Sequence, residues 1–184
     1  VTGALAEGEI AALSALRYIS ENAPTPIPEA EIKAHISETE SFLGEDKSVY
    51  SAEQLEEAMQ TAMDAYAGGI KTNYRFNEKQ LDIADMKIRR IEKLSDSLHA
   101  DDFQELMYIY ELRERLTVCR SVIAHLKARH ETRWHCFAEN LDYPEKDDKN
   151  WRKYVNSRLE NGEIKIILRE LTEEGQRVYE HSHK

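Results

Sequence analysis

A chain of 184 residues with 35 acidic and 25 basic side chains carries a formal charge of −10, which argues against nucleic-acid binding by simple phosphate neutralisation. Seven glycines and four prolines are few, and charged residues make up 33% of the chain, a balance that favours long helices over a turn-rich β fold. No apolar run approaches the roughly 18 residues of a membrane span. The two cysteines, Cys119 and Cys136, make no disulfide framework, so a reducing, cytoplasmic compartment is expected.

The chain opens at Val1 with no initiator Met and no targeting pattern, and reads as a piece of something larger. After a flexible Thr2-Gly3-Ala4 start, Leu5, Ile10, Leu13, Leu16 and Ile19 recur at mostly helical spacing and predict a first helix ending near Asn22. Ala23-Pro24-Thr25-Pro26-Ile27-Pro28 holds three of the four prolines. Alternate prolines forbid helix and extend the residues before them, which sets a boundary here. Glu29 to Leu43 predicts a short helix and residues 44–47 a loop, so residues 1–47 form an attachment segment.

Residues 48–130 carry three striped helices. Ser51 and Gln54 have the spacing of a capping box ahead of Leu55, Met59, Ala62, Tyr66 and Ile70. Asn77, with Gln80 three residues on, can cap a helix whose stripe is Leu81, Ala84, Ile88, Ile91 and Leu98. Asp101 or Asp102 can cap the third, where Ile109, Leu112, Leu116, Cys119, Ile123 and Leu126 keep a heptad-like rhythm to about Arg129. Short connections between them imply an antiparallel three-helix bundle, spectrin-like in plan. Residues 131–171 then form a loop and a β-hairpin, with strands from Trp151 to Leu159 and Glu163 to Leu168 around the turn pair Asn161-Gly162. Two strands alone are marginal in water, so the hairpin should pack on the bundle. Residues 172–184 read as a polar, frayed tail. The fold class is mainly α with a small hairpin.

Several groups invite chemistry. His125, His130, His135, Cys136 and Glu131 are plausible zinc ligands by type. Spacing opposes them, since five residues turn about 140° around a helix, and the simpler role is surface and interface histidines. Cys119 on the apolar stripe reads as a small core hydrophobe, and Cys136, beside Arg133 and His135 but without a general base, as structural. Tyr108 and Tyr110 should divide between solvent and packing, and the run from Glu111 to Arg115 reads as a solvated, ion-paired helix face. The start of the first helix is different: a glycine-containing turn there would present unpaired amides and a positive dipole end to an anionic or electron-rich group. The plainer alternative is that Gly3 and Gly8 permit close packing.

Two segments together resemble the fumarate reductase/succinate dehydrogenase flavoprotein family. Thr2-Gly3-Ala4-Leu5-Ala6-Glu7-Gly8-Glu9-Ile10-Ala11-Ala12 is similar to its S-G-S-x-x-E-G-R-I-A-A stretch near the end of the flavin-binding domain. Glu131-Thr132-Arg133-Trp134, followed by Asp142-Tyr143-Pro144-Glu145-Lys146-Asp147-Asp148 and Trp151, resembles its E-[ST]-R-[GW] and D-[FY]-P-x-[KR]-D-D-x-x-W elements. The Thr-Arg-Trp variant and the longer gap before Asp142 favour the adenylylsulfate reductase branch. The likeness runs through nearly the whole chain in order.

The resemblance implies that Thr2 and Gly3 shape a turn from which the amides of Ala4 and Leu5 meet the FAD ring of a parent protein. It also implies that Arg133, Trp134, Asp142 and Asp148 serve interdomain recognition rather than proton transfer. Partners implied for the parent are its own flavin-binding domain, an iron–sulfur subunit and a small anionic substrate, on the cytoplasmic side or at the inner membrane face through partner subunits. Three positions depart from the pattern: Ala4 replaces the usual Ser, Glu9 the usual Arg and Asn140 a usual Arg. The family's nucleotide-binding glycine fingerprint, flavin-anchoring histidine and substrate-binding residues have no counterpart here, which implies that electron transfer belongs to the parent and that this piece alone is inactive and holds no cofactor. Its first helix would then cover its apolar face by folding on the bundle or by forming a homodimer. Two other readings compete: a helical protein-protein interaction module without a catalytic role, and a metal sensor built on His130, His135 and Cys136.

Overall fold

The computed structural model describes residues 2–44 and 48–172. Val1, residues 45–47 of the expected loop and the tail from 173 onward lie outside the described residues. The chain divides after Ser41 into two units.

The first unit holds α1 (Thr2–Glu21) and α2 (Glu29–Ser41). Thr2, Gly3 and Ala4 are already helical, where the sequence suggested a flexible turn. Good helix formers at Ala4, Leu5 and Ala6 carry the helix back to this end, where a glycine interrupts no packed interior. Asn22 closes α1: its amide and its side-chain Nδ2 both donate to the Tyr18 carbonyl, at 3.0 and 2.8 Å. Residues 23–28 are non-helical, as three prolines require. Pro28 then receives the Glu31 amide at 2.9 Å as α2 begins.

In the second unit, α3 (Ala52–Tyr66), α4 (Glu78–Ser95) and α5 (Phe103–Ala128) form the bundle. Both capping boxes are made, Ser51 with Gln54 and Asn77 with Gln80. Asp102, not Asp101, caps α5 by accepting from the amides of Gln104 and Glu105. The core joins Leu55, Met59 and Ala62 to Leu81, Ala84, Ile88 and Ile91, and these to Ile109, Leu112, Leu116 and Ile123. Phe42, assigned by sequence to the attachment segment, is buried in this core, edge-on to Tyr110, while the Ala100 amide donates to its carbonyl at 2.7 Å.

Ile70 leaves the stripe it was expected to join. The chain reverses at Gly68 (φ 76°), and Gly69 lies so close that a Cβ there would stand 2.3 Å from the Asp64 Cα. Ile70 falls in a following 3-10 turn and is exposed. On α5 the buried positions include Leu106 and Arg120, whereas Cys119 and Leu126 are only half-buried.

Some short elements left no signal in the sequence. A two-residue parallel ladder joins β1 (Arg75–Phe76) to β2 (Glu139–Asn140), and α6 (Asp148–Trp151) forms a single turn capped by Asp147. That turn delays the hairpin: β3 is Lys153–Glu160, starting two residues after the expected Trp151, and β4 is Glu163–Glu170. Asn161 and Gly162, at φ 51° and 76°, make the primed turn their types suit. As expected, the hairpin packs on the bundle. The buried Arg120 guanidinium donates to the Gly162 carbonyl at 2.7 Å and to Glu163 and Glu92, and Arg89 grips Glu163 with two bonds of 2.9 and 2.8 Å.

Candidate functional site

The loop after α5 is built around one carboxylate. Glu131 has no side-chain exposure and accepts from Arg129, from the Arg133 Nε and Nη2 at 2.8 and 3.0 Å, and from the Asp147 amide at 2.9 Å. Burial alone would raise its pKa, but these hydrogen bonds and the Arg133 charge together hold it below the ordinary glutamate value. Arg129 also donates to the carbonyls of Trp151 and Lys153, both at 3.0 Å, so one side chain ties the loop to the start of the hairpin. Arg133 continues outward to Asp148 at 2.9 Å, which also pairs with Lys146 at 3.0 Å.

A second set of bonds folds the loop on itself. The buried Thr132 hydroxyl donates to the Tyr143 carbonyl and accepts from the Asn140 amide, each at 2.9 Å. Asn140 Oδ1 accepts the amides of Asp142 and Tyr143 at 3.0 and 3.3 Å. Asp142 Oδ2 accepts the Glu78 amide at 2.7 Å and so satisfies an orphan donor of α4. His130 stacks on Tyr143 at 4.5 Å between ring centroids and stands 5.6 Å from Trp151.

This polar lock leaves other side chains facing outward. Trp134 is 70% exposed and bridges to Ala138, with Phe137 exposed between them. Beside it lies a cavity of about 450 Å3 whose lining includes Arg129, Arg133, Trp134, Lys146, Trp151 and Lys153. Cations and indoles around one opening suit an anionic group or an acidic protein surface.

The four loop residues singled out from the sequence therefore play different parts. Arg133 and Asp148 meet as an ion pair, Asp142 caps a helix and Trp134 is presented to the outside. Sequence reasoning missed the anchors beneath them, Arg129, Glu131, Thr132 and Asn140. The available signal was a glutamate flanked by arginines two residues away on each side.

The other candidates, Thr2, Gly3, Ala4 and Leu5, form the first turn of α1, in the other unit. The amides of Thr2, Gly3 and Ala4, the first three of the helix, have no intrahelical acceptor, whereas Leu5 stands at the fourth position, where the first helical bond is made. Neither Gly3 nor Gly8 has a described neighbour within 4 Å of its Cβ position. Among the described residues, no three His, Cys, Asp or Glu side chains converge as metal ligands. His135 faces Glu139 at 3.8 Å, and Cys136 is exposed at φ 71°. Half-burial pushes the Cys119 thiol up, away from nucleophilic character.

A family model described as the fumarate reductase flavoprotein C-terminus matches residues 56–180. The chain is 32% identical over 97 residues to the adenylylsulfate reductase alpha subunit of Megalodesulfovibrio gigas, an alignment covering 53% of this chain and 15% of that one. It superposes on the adenylylsulfate reductase structure from Archaeoglobus fulgidus with a TM-score of 0.83 at 29% identity, covering 91% of this chain and 28% of that one. Quinol fumarate reductase from E. coli shares the fold, with a TM-score of 0.65 at 19% identity over 81% of this chain and 26% of that one. The chain thus spans little more than a quarter of the length of these structures.

Proposed function

This chain belongs to the family of fumarate reductase flavoprotein C-terminal domains, and from that premise we propose that it serves as the helical domain of an adenylylsulfate reductase-like flavoprotein subunit. The whole protein would pass electrons between FAD, an iron–sulfur partner and a small anionic substrate. The observation that carries this reading is the Glu131 lock, which spends its polar groups on rigidity and turns Trp134 and a basic cavity outward. Such a loop suits recognition. Its one buried carboxylate, Glu131, is held below the ordinary glutamate range despite burial by the bonds it accepts, which suits an anchor.

The residues present fit one edge of a flavin and no more. The first turn of α1 offers amides with open space around Gly3, and a helix N-terminus favours negative charge on the group it meets. Ala4 would supply such a donor, with Leu5 beside it closing the first turn. FAD, when bound, supplies the redox chemistry; the α1 amides would orient its ring edge and favour negative charge there. Enclosing the cofactor requires a dinucleotide-binding domain, which belongs to the rest of the parent. No described helix is long and apolar enough to cross a membrane, and we place the parent in the cytoplasm, with any membrane attachment made through partner subunits.

The test is to express the full-length gene product and record its visible absorption and its reduction by substrate. Bound flavin that is lost in a Leu5→Pro variant, while the bundle stays folded, supports the reading. A full-length protein with no flavin and no dinucleotide domain would sink it and leave an interaction module.

A further inference from the structure

The outer edge of the hairpin carries an inference that does not depend on the flavoprotein reading. The pairing of Glu160 with Glu163 around a two-residue turn fixes which backbone groups point outward. On β4 they are those of Ile164, Ile166, Leu168 and Glu170. Among the described residues β3 and β4 form a two-stranded sheet, so β4 is an edge. On β3 the start of the outer edge is occupied by Arg129, which donates to the Lys153 carbonyl, and the Ser157 hydroxyl on that strand meets Ser121 of the bundle. An eight-residue edge with unused donors and acceptors is a template for another strand.

Side chains around this edge say what kind of strand fits. Ile164 and Ile166 turn toward the bundle and are half-buried, while Leu168 is 49% exposed. The outward face carries Arg158, Lys165 and Arg169 around Ile167, with Glu160 shared by Arg158 and Lys165. A second copy of the chain is a poor occupant. The antiparallel register that uses all four outward residues sets Lys165 of one copy opposite Arg169 of the other, twice, and like charges directly opposite destabilise a pair.

We propose that the β4 edge is a docking site for an extended segment of a partner polypeptide, alternating acidic with apolar residues, which adds as a third strand. Acidic side chains of the segment face Lys165 and Arg169, and its backbone completes the bonds of Ile164 to Glu170. The same cations that disfavour self-pairing select this partner, a use of repulsion for specificity.

The experiment titrates the full chain, labelled for amide NMR, with a six-residue peptide alternating valine and glutamate. Shifts should concentrate on Ile164, Ile166, Leu168 and Glu170. Leu168→Pro removes an outward donor without breaking a β3–β4 bond, and it should weaken binding by about tenfold, the size of one lost hydrogen bond. Arg169→Glu should weaken it too, and a lysine-for-glutamate peptide should not bind. Shifts that persist in Leu168→Pro, or no shifts at all, would overturn the proposal. So would a dimer seen by sedimentation that Leu168→Pro abolishes while the peptide fails to bind, because the second copy would then be the occupant.

Discussion

Helices α1 and α4 are alike in the helical spacing of their apolar residues and opposite in outcome. Both are amphipathic, of 20 and 18 residues, and both were found from the spacing of their apolar residues. On α4, Leu81, Ala84, Ile88 and Ile91 are between 0 and 7% exposed; on α1, Leu5, Ile10, Leu13, Leu16 and Ile19 are between 61 and 72% exposed. Periodicity records that a face asks to be buried. It does not record whether the covering surface belongs to the same chain. In the proposed parent, that surface for α1 would be the flavin domain.

If this contrast is sound, the second unit should respond to single substitutions that leave the first unmoved. The largest effect is expected from Glu131→Ala, which strands Arg129 and Arg133 around an empty centre and should destabilise the second unit by about 3–5 kcal/mol, measured by urea denaturation followed by Trp fluorescence. Leu116→Ala, at a fully buried site, should cost about 2–5 kcal/mol. Leu13→Ala on α1 should change stability by no more than about 0.5 kcal/mol. A large loss at Leu13 would break the comparison. Sharpening it further, Leu13→Asp should lower flavin content in the full-length protein while leaving this chain's melting unchanged.

Smaller effects probe how the bundle is fastened. Asn77→Ala removes one capping box and should cost about 1 kcal/mol in the same denaturation measurement. Acid should loosen the hairpin and the loop. Bonds from Arg89, opposed by desolvation and aided by the Arg89 and Arg120 charges, bring the Glu163 carboxyl down to about 2. The Glu131 carboxyl is lowered as well. Both groups have folded pKa values below their unfolded ones, so their contribution is fully present above the ordinary glutamate value of about 4.3 and is lost as pH falls through the folded values. A stability profile against pH should stay flat near neutrality and decline below about pH 5, and Glu163→Gln should make that decline shallower. An unchanged profile in Glu163→Gln would show that the hairpin is held by packing alone.

Much of the architecture was legible in the chain before any coordinates. The proline boundary, the capping residues Ser51 and Asn77, the three stripes and the Asn161-Gly162 turn all rest on interactions within about four residues, which sequence spacing encodes directly. The resemblance located the loop and named Arg133, Trp134, Asp142 and Asp148, but it placed weight on the outward residues. Glu131 and Thr132 stood in the same motif and looked no different, because a charged residue beside two arginines reads equally well as solvated surface.

Local chemistry, then, settled where helices start, where they stop and which face of each asks for burial. Tertiary structure decided what could not be local. The bonds of Glu78 to Asp142 and of Arg75 to Glu139 each join residues 64 apart, and they exist only once α5 has returned the chain to the head of α4. Arg120 is buried because a hairpin turn more than 40 residues later adds two acceptors to the one that Glu92 supplies, and Ile70 is exposed because Gly68 and Gly69 turn the backbone before the stripe can continue. A buried charge is tolerable only when its partners are fixed in place. Those partners come from the fold, so the polar centre of this domain was written in the sequence as residue types and became a site only through packing.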